Sequence, residues 1–277
     1  MDARTFLGLE PRSEDPHQWR LPVTASIATP GRFLFGGCGL AAGIAAMEAA
    51  SGRPCVWASA QYLSYAPVGA TVDLDVTLAV TGHQMSQARC VGRVGDDEIL
   101  TVNAALGRRT LDQRGSWAER PEVPGPDESP VRDHGHAFED TIMGRVETRL
   151  AAGRQHTALD GTPGDGRCAM WCRMPELLEP SAASLAVLGD FVPSGIGQAL
   201  GLPAGGNSLD NTLRVVGLVP TDWVLVDLRI HAVEHGFGHG LAHLWAQDGT
   251  LLATASQSVI VRFWDGRRVA ARTDPPG

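Results

Sequence analysis

The chain repeats itself. Slid by about 152 residues, FGGCGLAAGIAAMEAASG lies over VLGDFVPSGIGQALGLPA, with Gly37 meeting Gly189 and Gly43-Ile44 meeting Gly195-Ile196. Further on, TVDLDVTLAV (71–80) lies over WVLVDLRIHA (223–232). Val72, Leu74, Val76, Leu78 and Val80 alternate in one copy, and Val224, Val226, Leu228, Ile230 and Ala232 in the other. A period of two marks a strand with one buried face. Asp96-Asp97 then matches Asp248-Gly249 as a turn, and EILTVNAAL matches TLLATASQS as a closing strand. Self-similarity at a fixed spacing means copies of one unit, here helix, strand, long strand, turn, strand. One helix per unit excludes the alternating pattern of a doubly wound sheet. The expected fold class is therefore α+β: two units in one chain, each a small antiparallel sheet with one long, glycine-containing helix.

Between the copies, RGSWAERPEVPGPDESPVRDHG is dense in proline, glycine and charge, which predicts a linker over the surface. The expected division is 15–110 for the first unit, 111–140 for the linker and 141–266 for the second unit. Composition narrows the class further. With 43% hydrophobic residues, 19% charged and a net charge of −8, the 277-residue chain is neither disordered nor a disulfide scaffold. An acidic balance argues against nucleic acid and anionic membranes as partners. Cys38, Cys55, Cys90, Cys168 and Cys172 follow no regular spacing, as expected of thiols in a reducing compartment. No signal-like apolar core opens the chain, and the longest weakly polar run, Gly36 to Ala50, is too short to span a bilayer. A cytoplasmic location is expected.

RFLFGGCGLAAGIAAM, SAQYLSYAPVGATVDLDVTLAVTG, NSLDNTLRVV and DGTLLATASQSVIVR, in this order, resemble the type II acyl-CoA thioesterases (TesB-like, of the thioesterase-like superfamily) over nearly all of residues 15–265. The Phe-Gly-Gly helix start and the DG…ATASQ strand are the more specific parts. The resemblance implies a double hot-dog fold, in which each sheet wraps around a helix. It also implies hydrolysis of fatty acyl-CoA thioesters without metal or organic cofactor, as part of fatty acid metabolism.

Thioester hydrolysis needs an oriented water, a group to take its proton and donors for the developing oxyanion. Groups required only for folding should recur in both copies, whereas a site can be confined to one. At the same offset Asp210 falls over Ala58, His231 over Ala79 and Gln257 over Ala105. Asp210, in NSLDNTLRVV, stands where the resemblance implies a catalytic aspartate, although it shares parity with Thr212 and Arg214 rather than with the apolar positions. Gln257 shares parity with Leu251, Ala253, Ala255, Val259 and Val261, so it should be buried and hydrogen-bonded. It also matches the family's catalytic glutamine. His231 departs from the family, whose pattern has threonine there; an imidazole can accept a proton near neutral pH, which a hydroxyl cannot. The expected catalytic set is Asp210, His231 and Gln257, with Asp210 positioning His231 and Gln257 holding the water. Asp190, opposite Cys38 in the repeat, is a reserve carboxylate whose plainer reading is a helix cap or a hydrogen bond between units. Gly36-Gly37 would let backbone N–H groups approach a carbonyl, or would serve tight packing alone.

Other signals weigh less. FGGCGLAAG imitates a phosphate-binding loop but lacks the βαβ context and the P-loop lysine. His231, His235, His239 and His243 recur every four residues, yet Gly236, Gly238 and Gly240 interrupt that segment, so no metal site is expected. Cys168 and Cys172 have no companion pair, and no nucleophile elbow is present. The expected partners are acyl-CoA or an acyl carrier protein thioester, and a second copy of the chain in a homodimer or larger homo-oligomer. Rival readings are a non-catalytic acyl-thioester binding protein and a hot-dog enoyl-thioester hydratase or dehydratase.

Overall fold

A computed structural model describes residues 1–132, 139–177 and 179–263. After a short helix α1 (Ala3–Leu7), the first half contributes β1 (Glu10–Pro11), β2 (Gln18–Pro22), helix α2 (Gly36–Ser51), β3 (Cys55–Tyr62), β4 (Thr71–Thr81), β5 (Met85–Val94) and β6 (Asp97–Gly107). The second half contributes α3 (Ile142–Arg145), β7 (Glu147–Ala152), β8 (Arg167–Arg173), α4 (Ala182–Leu188), α5 (Val192–Leu200), β9 (Ala204–Ser208), β10 (Asp210–Val215), β11 (Val224–Glu234), β12 (Phe237–Ala246) and β13 (Leu251–Phe263). All these strands pair antiparallel in the order β1-β2-β4-β5-β6-β3-β10-β13-β12-β11-β8-β7, with β9 added to β13. The two expected sheets are thus joined edge to edge through β3 and β10, which is the double hot-dog arrangement. No helix among the described residues is long and apolar enough to cross a membrane.

Helix α2 is apolar all round, and Gly37 to Met47 are buried without interruption, as suits a helix enclosed by a sheet. It ends where Gly52 turns left-handed (φ 65°) and returns its N–H to Glu48 O. The second half departs from the single long helix expected of it. Its helix breaks at Gly189–Phe191 into α4 and α5, with proline in the first turn of α5. Proline is tolerated there because a first-turn N–H has no partner within the helix.

The ladders also correct the repeat. A local twofold passes between the paired residues Ser59 and Thr212, whose hydroxyls are 2.7 Å apart. Equivalent positions on β3 and β10 are therefore 153 apart rather than 152. Strands β6 and β13 keep that spacing, because Ala60 pairs with Val102 as Leu213 pairs with Ala255. Gln257 is consequently the equivalent of core-facing Ala104, not Ala105, and Asp210 is the equivalent of Trp57, not Ala58. A slip of one residue exchanges the faces of a strand, so it decides which asymmetries point inward. Strands β4 and β11 keep the other spacing, and each carries a bulge at the matching place, Leu78/Val80 and Ile230/Ala232.

The proline-rich stretch after β6 lies across the outer face of the second sheet. Trp171 Nε1 donates to Pro124 O at 2.8 Å and Arg149 to Pro126 O at 3.0 Å. Beneath it Ala169, Trp171, Trp223, Leu225 and Trp245 form a separate apolar cluster. Residues 133–138 of the expected linker, and the tail from 264 onward, lie outside the described residues.

Candidate functional site

Asp190 is the only charged residue in SLAVLGDFVPSGIG (184–197), and it occupies the break between α4 and α5. Its carboxylate is buried and reaches across the local twofold to the other half. There it accepts the backbone N–H of Gly37, in the first turn of α2. That helix start has no cap from its own chain segment, since Phe35 precedes it. A carboxylate there meets both an unpaired N–H and the positive end of the helix dipole. The approach requires glycine: a β-carbon on Gly37 would lie 2.9 Å from both Ala186 O and Asp190 Cβ.

Gln257, on the core face of β13, joins this carboxylate to the second helix start. Its Oε1 accepts Val192 N at 3.2 Å, at the first residue of α5. Its Nε2 donates to Asp190 Oδ1 and lies 3.0 Å from Ser208 Oγ. Ser208, the last residue of β9, adds a hydroxyl contact of 3.3 Å to Asp190 Oδ1. The result is one buried acid receiving a backbone N–H, an amide and a hydroxyl, between two helix N-termini from different halves. Burial raises the Asp190 carboxyl from the ordinary carboxylate range to about 7, and the hydrogen bonds from Gly37, Gln257 and Ser208 oppose that rise. Cys38, the next residue of α2, is fully buried near Asp190. Desolvation, with the neighbouring carboxylate, pushes its thiol well above the ordinary range. It is not a thiolate nucleophile.

The sequence-predicted residues are placed as follows. Gln257 lies in the cluster. Asp210 stands beside it on the opposite face of the strand, where β9 gives way to β10 at Leu209. Its carboxylate accepts Ser258 N at 2.7 Å, filling the place of a missing ladder carbonyl. His231 is exposed in the β11 bulge, separated from β13 by β12. Among the described residues no hydrogen bond joins it to Asp210 or Gln257. The four recurring histidines run along the β11–β12 hairpin, with His235 and Gly236 turning left-handed between the strands (φ 50° and 79°). Sequence reasoning passed over Ser208 and ranked Asp190 second. A single acid in an apolar run, opposite Cys38 of the other copy, was the available signal for Asp190; Ser208, in the polar strand AGGNS, had none.

The Asp190 carboxylate is thus shared between the two halves of the chain. The model of the acyl-CoA thioesterase C-terminal domain matches residues 118–261. The crystal structure of a proposed thioesterase from Novosphingobium aromaticivorans is 32% identical, with a TM-score of 0.80, over 91% of this chain and 97% of that one. The chain belongs to the acyl-CoA thioesterase family. A hot-dog protein of unknown function from Alicyclobacillus acidocaldarius superposes with a TM-score of 0.82 at 22% identity, over 94% of this chain and 97% of its own. An acyl-CoA thioesterase II from Mycobacterium marinum does so at 0.73 and 18%, over 96% and 100%. These two share the fold. No curated protein matches the chain.

Proposed function

We propose that the protein hydrolyses acyl-CoA thioesters to free acid and coenzyme A, with Asp190 as the base that takes the proton of the attacking water. The observation carrying this reading is a buried carboxyl near pKa 7 at a helix start, held by Gly37, Gln257 and Ser208. A general base works best when its pKa lies near the operating pH. A carboxylate offers about four acceptor sites, and three hydrogen bonds leave one for water. As water adds to the carbonyl carbon its proton passes to Asp190, and the same proton then leaves with the thiolate of coenzyme A. Gln257 and Ser208 fix the carboxylate and its water.

This reading moves the base from His231, which Asp210 was expected to position, to Asp190. It gives Asp210 the task of holding β13 in register and leaves His231 outside the water site. A hydratase would pair its acid with an imidazole, and among the described residues no histidine hydrogen-bonds to Asp190. The reading further takes the acyl donor to be acyl-CoA or an acyl carrier protein thioester, in the cytoplasm. Assembly as a homodimer or larger oligomer would use the open edges at β1 and β7.

The test is thiol release from acyl-CoAs of increasing length by wild type, Asp190→Asn and Asp210→Asn. Turnover should fall by about 10²–10⁴ in Asp190→Asn, the usual worth of a positioned base, and by less than about tenfold in Asp210→Asn. Equal activity in wild type and Asp190→Asn would remove Asp190 from the chemistry. Acyl-CoA binding without thiol release would make the protein a binding module.

A further inference from the structure

Three buried polar atoms beside Asp190, Tyr62 Oη, Asn211 Nδ2 and Asn211 Oδ1, make no well-formed hydrogen bond, although the phenol and the Asn211 amide stand next to each other. Buried polar groups are nearly always satisfied, and an unmet one calls for an explanation. Tyr62 ends β3 in the first half. Asn211 lies on β10 in the second half and is fully buried. Both face inward, Tyr62 in step with Ala58 and Ala60, Asn211 in step with Leu213. Their twofold equivalents, Val215 and Ala58, carry no polar side-chain atom, so the fold itself does not demand these groups.

Their position is specific. The point that a β-carbon on Gly36 would occupy lies 3.0 Å from Tyr62 Oη, 2.9 Å from its Cζ and 2.9 Å from Asp190 Oδ2. The phenol therefore sits against the first residue of the sixteen-residue helix α2, in the same small space as the carboxylate. The positive end of a helix favours negative charge, and a neutral hydroxyl aimed at that place is a donor waiting for an acceptor. Burial, together with the charges of Asp190 and Asp210, pushes the Tyr62 phenol well above its ordinary range against the opposing effect of the Asn211 side chain, so it keeps its proton at neutral pH.

Building on the thioesterase reading above, we propose that Tyr62 is a further catalytic residue, whose hydroxyl donates a hydrogen bond to the thioester carbonyl oxygen with the Asn211 amide beside it. As the water oxygen bonds to the carbonyl carbon, the π electrons of the C=O bond move onto that oxygen. Tyr62 holds the resulting oxyanion and keeps its own proton. Collapse of the intermediate restores the C=O bond, breaks the C–S bond and sends the thiolate out with the proton held on Asp190. The two halves then divide the work, the first supplying the phenol and the α2 start, the second supplying Asp190, Gln257, Ser208 and Asn211.

Tyr62→Phe keeps the ring that packs on Gly36 and removes only the hydroxyl. In thiol-release assays its kcat should fall by about 10²–10³, as when an oxyanion donor is lost, with KM within about threefold of wild type. Asn211→Leu, close in shape, gives a second readout. It should raise the melting temperature by removing two unsatisfied buried atoms while lowering kcat about tenfold or more, a combination no purely structural role produces. Wild-type kcat in Tyr62→Phe would overturn the proposal. So would a raised KM at unchanged kcat, which would make the hydroxyl a ground-state contact to the acyl chain. An active wild type with an equally active Tyr62→Phe sinks this inference alone. A wild type that releases no thiol sinks the thioesterase reading and this one with it.

Discussion

Placed on each other by the local twofold, the two halves have the same scaffold and opposite chemistry. Ala104 in the first half occupies the place of Gln257 in the second, Cys55 that of Ser208, and Ala58 that of Asn211, and Gly37 of the first meets Asp190 of the second across the axis. At each position the second half has a polar group and the first a small or apolar one. The exchange across the axis is complementary: α2 stays whole and offers its bare N-terminus, whereas α4–α5 breaks and offers a carboxylate to it. A symmetric pair would put either two buried acids or two glycines on the axis. Two facing acids would resist joint ionisation, and two glycines would offer no base. A fused chain escapes that constraint, because each copy can change alone.

The sharpest way to break the comparison is to give the first half a side chain where it has none. Gly37→Ala places a methyl 2.9 Å from Ala186 O and Asp190 Cβ, and backbone cannot yield as a flexible side chain can. The expected cost is about 1–3 kcal/mol of stability, the range for overpacking, read by denaturant unfolding. Activity should drop at least tenfold, since the Gly37 N–H that fixes Asp190 is displaced. Unchanged stability and turnover would show that the close crossing of the halves is not needed.

Gln257→Leu is the next step down. It preserves volume but makes position 257 apolar, like Ala104 in the other half. Val192 N loses its acceptor and Asp190 loses an amide donor. Leaving a buried donor unmet costs about 1–3 kcal/mol. Loss of a hydrogen bond to the charged form raises the Asp190 pKa further, so the acid limb of kcat/KM should move to higher pH. A limb at the wild-type pH would mean that Gln257 does not touch the ionised carboxylate.

What was legible in the sequence follows from the same geometry. Periodicity of two survives duplication, so Val72 to Val80 and Val224 to Ala232 announced their strands, and Gln257, polar in an apolar register, announced its burial. An ungapped comparison could not see that β3/β10 and β4/β11 follow different spacings, because the extra residue is absorbed at bulges and turns. It therefore set Asp210 against Ala58, although parity already placed Asp210 off the apolar face, while the inward residue equivalent to Ala58 is Asn211. Asp190 was visible as an acid without being visible as a site. Its importance comes from a contact across the twofold with Gly37, and no local pattern encodes that. The bulge likewise puts His231 in solvent, where alternation alone left its face open.

Asp190 also makes stability depend on pH. Its carboxyl titrates near 7 in the folded chain against an ordinary value of 3.8, so folding holds a proton that the unfolded chain releases. A raised acid of this kind contributes stability fully below about pH 4 and loses it as pH rises through about 7. Urea unfolding should show a decline between those limits, beyond the change from other groups, and Asp190→Asn should remove it. A wild type and variant with parallel profiles would mean that Asp190 is not buried as an acid. No such slope is expected from Ala104→Ser or Cys55→Ser in the first half, which introduce hydroxyls but no titrating group.

The smallest expected effect decides the most about the second half. Two groups compete for the role of base: the buried carboxyl of Asp190, and the imidazole of His231 that the sequence offered. A single wild-type profile cannot separate them. His231→Ala can, because His231 stands exposed on the β11 bulge with β12 between it and β13. Proton transfer needs contact or one bridging water, and neither is available across an intervening strand. The variant should keep kcat/KM within about twofold of wild type, with its limb at the same pH. If the limb disappears with the imidazole, the base belongs to the bulged strand, and the carboxyl shared between the two halves is a structural clasp rather than the centre of the reaction.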